Sequence, residues 1–124
     1  MTIIEAINRL DALKYNTFTS ADKVEWLSRL DSAVKKLIID THEGGENVIF
    51  TGYDQDADLN TELLVPAPFD EMYIRWMEMQ IDYANGEYDK YNNSAEMYNT
   101  SFIAYERYYK LHHMPRNRGN RFIF

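Results

Sequence analysis

Cysteine is absent from this 124-residue chain, so a disulfide framework and a zinc site built on thiolates are both excluded. Long apolar runs are missing too, because no stretch approaches the roughly 18 apolar residues that a membrane span needs. The opening residues, MTIIEAINRL, lack the basic stretch and apolar run of a signal peptide. We therefore expect a soluble protein that is not exported.

Catalytic motifs are also lacking. The chain contains no GxSxG, no phosphate-binding P-loop, no GxGxxG and no HExxH. Carboxylates are abundant, but we place those of the predicted third and fourth helices on outer faces, where solvated charge is the ordinary arrangement. These acids are Glu71, Glu78, Asp82, Glu87, Asp89, Glu96 and Glu106. We predict no enzyme, no catalytic residue and no cofactor.

Positive charge is scarce outside the last residues. Residues 1–114 carry ten Lys and Arg against twenty Asp and Glu, a formal charge of −10. Residues 115–124, which we call the tail, carry three Arg and no acid, a formal charge of +3. The acidic body repels nucleic-acid phosphates, so we do not expect it to bind DNA non-specifically.

Helical periodicity dominates what is present. A capping box of Thr2 and Glu5 begins a predicted first helix at about 2–13. Thr19 or Ser20 begins a second helix, which Gly44-Gly45 ends. The apolar stripe predicted for that second helix consists of Val24, Leu27, Leu30, Val34, Leu37 and Ile38.

Two further helices form a predicted αα-hairpin. Asp70 caps the third helix after Pro66 and Pro68, and its inner face is predicted as Tyr73, Trp76, Met77, Ile81 and Ala84. After the turn signal at 85–86, the fourth helix begins somewhere in 88–93 and reaches about Met114. It carries Tyr91, Tyr98, Phe102, Tyr105 and Tyr109, so the seam of the hairpin is aromatic.

Residues 46–65 have a different texture. ENVIFTGY is rich in β-forming residues, YDQDADLNTE is acidic and turn-like, and a short apolar run follows. This order predicts a β-hairpin with an acidic tip. The expected fold is mainly α: a small helical bundle over 1–114 with an αα-hairpin, an inserted β-hairpin at about 46–65 and an extended tail over 115–124.

Two sets of residues resemble metal ligands. The acids of the predicted tip alternate like a calcium loop, but the positions for its glycine and its last glutamate hold Leu59 and Val65. Adjacent histidines on a helix point to different faces, so His112 and His113 do not chelate one metal easily. The candidates weighed are Asp54, Asp56, Asp58, Asn60 and Glu62, together with His42, His112 and His113. We predict no metal site.

The tail, within HMPRNRGNRFIF, combines an arginine-rich stem with an apolar tip. Burying one such apolar side chain contributes about 1.5–3 kcal/mol, which favours docking of the tip on another protein. Arginines would meet carboxylates while the aromatic rings fill pockets. The predicted partner-binding residues are Arg116, Arg118, Arg121, Phe122, Ile123 and Phe124.

Two stretches, WLSRLDSAVKKLIIDTHEGG at 26–45 and the helical hairpin at 63–109, resemble the head–tail connector (adaptor) proteins of tailed bacteriophages. Shared features are a Pro-x-Pro, aromatic, acid start to the hairpin and a Tyr-Asn-Asn start to the last helix. The segment at 46–65 is longer than the plain loop of smaller connectors.

The resemblance implies a structural virion protein that assembles in the bacterial cytoplasm. It implies a self-associated ring, commonly a dodecamer, under the portal protein, with a C-terminal segment that reaches onto the portal. It also implies a tail-side connector or stopper as the next partner. DNA would pass through the lumen without specific binding.

Other functions remain open from the residues alone. A small acidic, tyrosine-rich protein is able to mimic DNA and inhibit a nucleic-acid enzyme, although a basic tail would attract the DNA being imitated. The tyrosines also resemble a stacking platform for single strands, but such a platform requires a positive groove that the body lacks. An unrecognised carboxylate active site is the third alternative.

Overall fold

The computed structural model describes residues 1–115, and the fold over this range is mainly α. Four α-helices follow in order: α1 (Ile3–Leu13), α2 (Ser20–Val34), α3 (Glu71–Ala84) and α4 (Tyr88–His112). A π-helix at Lys35–Ile39 continues α2, and a 3-10 turn spans Gly45–Asn47. No β-strand forms within residues 1–115; two isolated bridges join Thr2 with Glu62 and His42 with Pro115.

The N-terminal caps of α1 and α2 form as the sequence predicts. The Thr2 hydroxyl accepts a hydrogen bond from Glu5 N at 3.2 Å, and the Glu5 carboxylate accepts one from Thr2 N at 2.8 Å. These hydrogen bonds to Thr2 lower the pKa of Glu5. Thr19 caps α2 with the same reciprocal pair to Asp22. The caps satisfy amide groups that have no partner inside the helix.

The predicted stripe of the second helix is correct up to Val34 and then changes register. The prediction of Leu37 as a core residue is wrong: Leu37 is 56% exposed, whereas Ile38 and Ile39 are buried. The π-helix causes the change, because each of its turns holds more residues than an α-turn and rotates the side chains that follow.

The αα-hairpin of α3 and α4 is confirmed, and its seam is aromatic. The Trp76 ring lies 5.2 Å from that of Tyr98, and Phe69 lies 5.6 Å from Tyr105. Two details differ from prediction. Ala84 is exposed. Asp70 makes no capping hydrogen bond, and its carboxylate lies 3.8 Å from the amino group of Met1.

The core lies where α1, α2 and α3 meet, closed by one side of α4. Its members are apolar side chains with almost no exposure. They include Ile3, Ile7, Leu10, Val24, Leu27, Leu30, Ile38, Val65, Met72, Tyr73, Ile74, Met77 and Ile81, with Tyr105 and Tyr109 from α4.

The predicted β-hairpin at 46–65 is wrong. Its two halves do not pair, because the backbone of the second half pairs with the start of α1. Ile3 N donates to Thr61 O at 3.0 Å, Ile4 N donates to Leu59 O at 2.9 Å, and Leu63 N donates to Met1 O at 3.0 Å. The acidic tip folds into local turns instead, in which aspartate side chains accept from amides two residues ahead.

Candidate partner-docking surface

The six predicted partner-binding residues, Arg116 to Phe124, lie outside the described residues, but the structure shows where their segment begins. After α4 ends at His112, the chain returns to the body. Glu43 N donates to Met114 O at 2.8 Å, and Pro115 forms an antiparallel bridge with His42. The tail therefore starts from a point on the protein that two backbone contacts hold in place.

Aromatic rings pack against one another beside the residues at which the tail starts. The buried His42 ring lies 5.3 Å from the Tyr109 ring, and the Tyr109 ring stacks on His113 with centroids 3.8 Å apart. His42 Nδ1 lies 2.7 Å from Ile38 O, and His113 Nδ1 lies 3.0 Å from Tyr109 O. These nitrogens are held by backbone carbonyls.

The histidines and the acidic tip do not assemble into a metal centre in the described part of the chain. Among residues 1–115, no three His, Asp or Glu side chains come together to hold a metal ion. His112 bonds to Tyr108 O in its own helix. In the tip, Asp54 and Asp58 accept from nearby amides, and Glu62 lies 3.3 Å from the Met1 amino group.

Exposed apolar side chains lie near the start of the tail. Leu111 in the last turn of α4 is 82% exposed, and Met114 is about half exposed. Leu37, on the π-helix that α4 contacts, is also exposed. Exposed apolar side chains of this kind are suitable contacts for a protein partner.

A buried carboxylate, which the sequence analysis did not predict, connects the segment 53–65 to the helical bundle. Asp31 is fully buried in α2 and accepts hydrogen bonds from the hydroxyls of Tyr53 and Tyr73, each at 2.6 Å. It also accepts from Leu64 N at 3.1 Å, while Val65 N donates to the Tyr73 hydroxyl at 2.7 Å. One side chain thus joins α2, α3 and both ends of the segment 53–65.

The electrostatics of Asp31 follow from its burial. Desolvation raises the pKa of its carboxyl above the usual range, and the three donated hydrogen bonds oppose this effect. Burial and the neighbouring carboxylate likewise raise the pKa of both Tyr53 and Tyr73. We assign the network a structural role, since its polar atoms are occupied with one another and with the backbone.

A second buried carboxylate corrects the prediction that Asp82 lies on an outer face. Asp82 is fully buried. Lys14 Nζ lies 2.8 Å from Asp82 Oδ1 and forms an ion pair with it, although the angles do not meet the criteria for a hydrogen bond. Ser94 donates to Oδ2 at 3.1 Å. This cluster ties the end of α1 to the αα-hairpin. Of the remaining predicted outer acids, Asp89, Glu96 and Glu106 are exposed, and Glu71, Glu78 and Glu87 are half-buried.

None of the helices in residues 1–115 combines the length and the apolar character that crossing a bilayer requires.

Comparison of the chain with protein-family models, with curated proteins and with solved structures found no match.

Proposed function

We propose that this protein is a structural component of the head–tail junction of a tailed bacteriophage. In this proposal it forms a ring and docks on the portal protein through its tail, without catalysing a reaction. The observation that carries the proposal is the fixed origin of the tail. There, Glu43 N donates a hydrogen bond to Met114 O, and Pro115 forms an antiparallel bridge with His42. A docking segment that leaves a rigid body at a defined point is well suited to joining two assemblies.

The chemistry of the tail fits a protein partner. Arg116, Arg118 and Arg121 supply forked donors for carboxylates, and the Phe-Ile-Phe tip supplies apolar anchors. The exposed Leu111 and Met114 would extend this contact onto the body. Because the anchors are apolar, the complex should persist at salt concentrations that dissolve a purely ionic contact.

The charge of the body fits a ring around a DNA passage. The described residues hold all twenty acidic side chains and ten of the thirteen basic ones, so their formal charge is −10. A like-charged wall lets DNA pass without binding it. The segment 46–65 would then face a neighbouring copy or the tail-side connector.

Particle composition tests the proposal. Virions purified from the source by density gradient should contain this protein at a fixed ratio to the portal, as measured by quantitative mass spectrometry. The matched control is an abundant host protein, which should fall in amount at each purification step. Absence from purified virions, or a ratio to the portal that falls like that of the host protein, would refute the proposal.

A further inference from the structure

The segment Ile49–Gly52, which we call the open segment, has backbone groups that pair with nothing in residues 1–115. These residues belong to no helix, strand or turn. No described residue forms a hydrogen bond with their N–H or C=O groups; pairing resumes on either side, where Val48 N donates to Gly45 O and Tyr53 N donates to Ser28 Oγ. Free donors and acceptors of this kind are what a sheet edge offers to an added strand, and here they end at Gly52, whose φ of 102° turns the backbone out of the extended conformation.

The side chains of the open segment provide apolar contact area. Ile49 is 87% exposed, and the half-buried Phe50 packs its ring edge-on against Tyr53, with centroids 5.0 Å apart. Together with Leu64 they line an open groove of about 370 Å³. A single exposed isoleucine is ordinary, but here it lies beside unpaired backbone and a groove.

The groove is acidic. Asp54, Asp58 and Glu62 line it, and none of its described lining residues is Lys or Arg. Glu62 is already paired with the Met1 amino group at 3.3 Å, whereas Asp54 and Asp58 accept from nearby amides and have no cationic partner within residues 1–115. The complementary occupant is therefore an extended peptide with basic and apolar residues and no acid.

The tail has this composition. It carries three arginines, no acid, and a Phe-Ile-Phe tip of strand-forming residues. We propose that the tail of a second copy of this chain adds to the open segment as a β-strand, with its arginines facing the acids of the groove. This proposal goes beyond the proposed function, because it concerns the protein in the absence of a portal.

The direction of the chain favours a second copy over the same molecule. Pro115 pairs antiparallel with His42, and Met114 pairs with Glu43. At residues 114–115 the backbone therefore runs antiparallel to residues 42–43, in the direction opposite to the one in which the chain continues to Ile49. A groove of one copy and a tail of the next would form a heterologous contact, which builds rings or open chains. Neighbouring copies and a portal would then compete for the same tail.

Sedimentation velocity of the full chain tests the proposal by complementation. The variant Ile49→Lys impairs the groove but keeps the tail, and the double variant Phe122→Ser/Phe124→Ser impairs the tail but keeps the groove. We expect concentration-dependent association of the unaltered chain and about tenfold weaker association of each variant alone. A mixture of the two variants should form dimers, because one supplies a tail and the other a groove.

The control is Leu13→Lys, which also replaces an exposed apolar side chain with lysine, on α1, and should associate like the unaltered chain. Three outcomes would overturn the proposal: a chain that stays monomeric at all concentrations, a mixture that stays monomeric, or a control impaired as much as Ile49→Lys. Failure here would leave the virion test unaffected, since that test needs no self-association.

Discussion

Helices α3 and α4 form one hairpin, yet they are buried to very different degrees. In α3, seven of fourteen residues are buried, including Asp82. In α4, three of twenty-five are buried. The shorter helix is thus surrounded by other elements, while the longer one contributes one aromatic seam and leaves its other faces open. We infer that α3 holds the fold together and that α4 is available to partners along most of its length.

The strongest way to break this comparison is to make the same substitution in both helices. Met77→Ala in α3 should lower the free energy of unfolding by about 2–5 kcal/mol, because it opens a cavity in the core. Met97→Ala in α4 should change it by less than about 0.5 kcal/mol, because Met97 is partly exposed. Urea unfolding measures both, and equal losses would show that α4 is as deeply packed as α3.

The seam between the helices should give an intermediate effect. Trp76→Ala removes the ring contact with Tyr98 and the hydrogen bond from Trp76 Nε1 to Trp26 O at 2.8 Å. We expect a loss of about 2–3 kcal/mol, below that of a fully buried tryptophan. Asp56→Ala, on the exposed acidic tip, is the control and should have almost no effect on the urea midpoint. If Trp76→Ala shifts the urea midpoint as little as Asp56→Ala does, the packing described for α4 is refuted.

Burial of Asp31 should appear as a pH dependence. Its pKa in the folded protein is raised above the ordinary value of 3.8, so the folded state binds this proton more tightly than the unfolded state. The contribution to stability is therefore full below pH 3.8 and is lost as the pH rises through the folded-state pKa.

The variant Asp31→Asn lacks this titration, although it also loses a hydrogen-bond acceptor. Relative to the unaltered chain, the variant should gain stability as the pH rises from about 4 to 7. Urea unfolding across that range measures the difference. A difference between the two proteins that stays constant with pH would contradict a raised pKa for Asp31.

Removal of residues 116–124 should have the smallest effect on the fold. The last described contacts, between Met114 and Glu43 and between Pro115 and His42, remain in a chain that ends at Pro115. We expect the melting temperature to stay within a few degrees of that of the full chain. A large drop would mean that the tail packs on the core of its own molecule.

The helices were predictable because their periodicity and caps are local properties. Thr2 and Thr19 begin α1 and α2 as expected, and the hairpin of α3 and α4 follows from two amphipathic stretches joined by a turn signal. The exposure of Leu37 was not predictable, because a stripe of apolar residues does not reveal where an α-helix changes into a π-helix.

The segment 46–65 failed as a prediction for a different reason. The β-forming residues at 48–51 favour an extended backbone, but they do not determine what that backbone pairs with. In the second half of the segment, Leu64 N donates to Asp31 and Val65 N donates to the Tyr73 hydroxyl, and both acceptors belong to helices of the bundle. One signal was present: Asp31 lies four residues after Leu27 on the apolar stripe of α2, and an acid on such a stripe indicates a buried polar network. The predicted partner-binding residues lie beyond the described range and stay a prediction.

The most direct test of the central claim, that the tail attaches this protein to a portal, is a pull-down from a phage-producing lysate. Full-length protein and a version that ends at Pro115 serve as paired baits, and captured proteins are identified by mass spectrometry. We predict that the full-length bait retains a large portal oligomer in high salt and that the shortened bait does not. Capture of the same nucleic-acid enzyme by both baits, without a portal, would contradict the claim and favour an inhibitor.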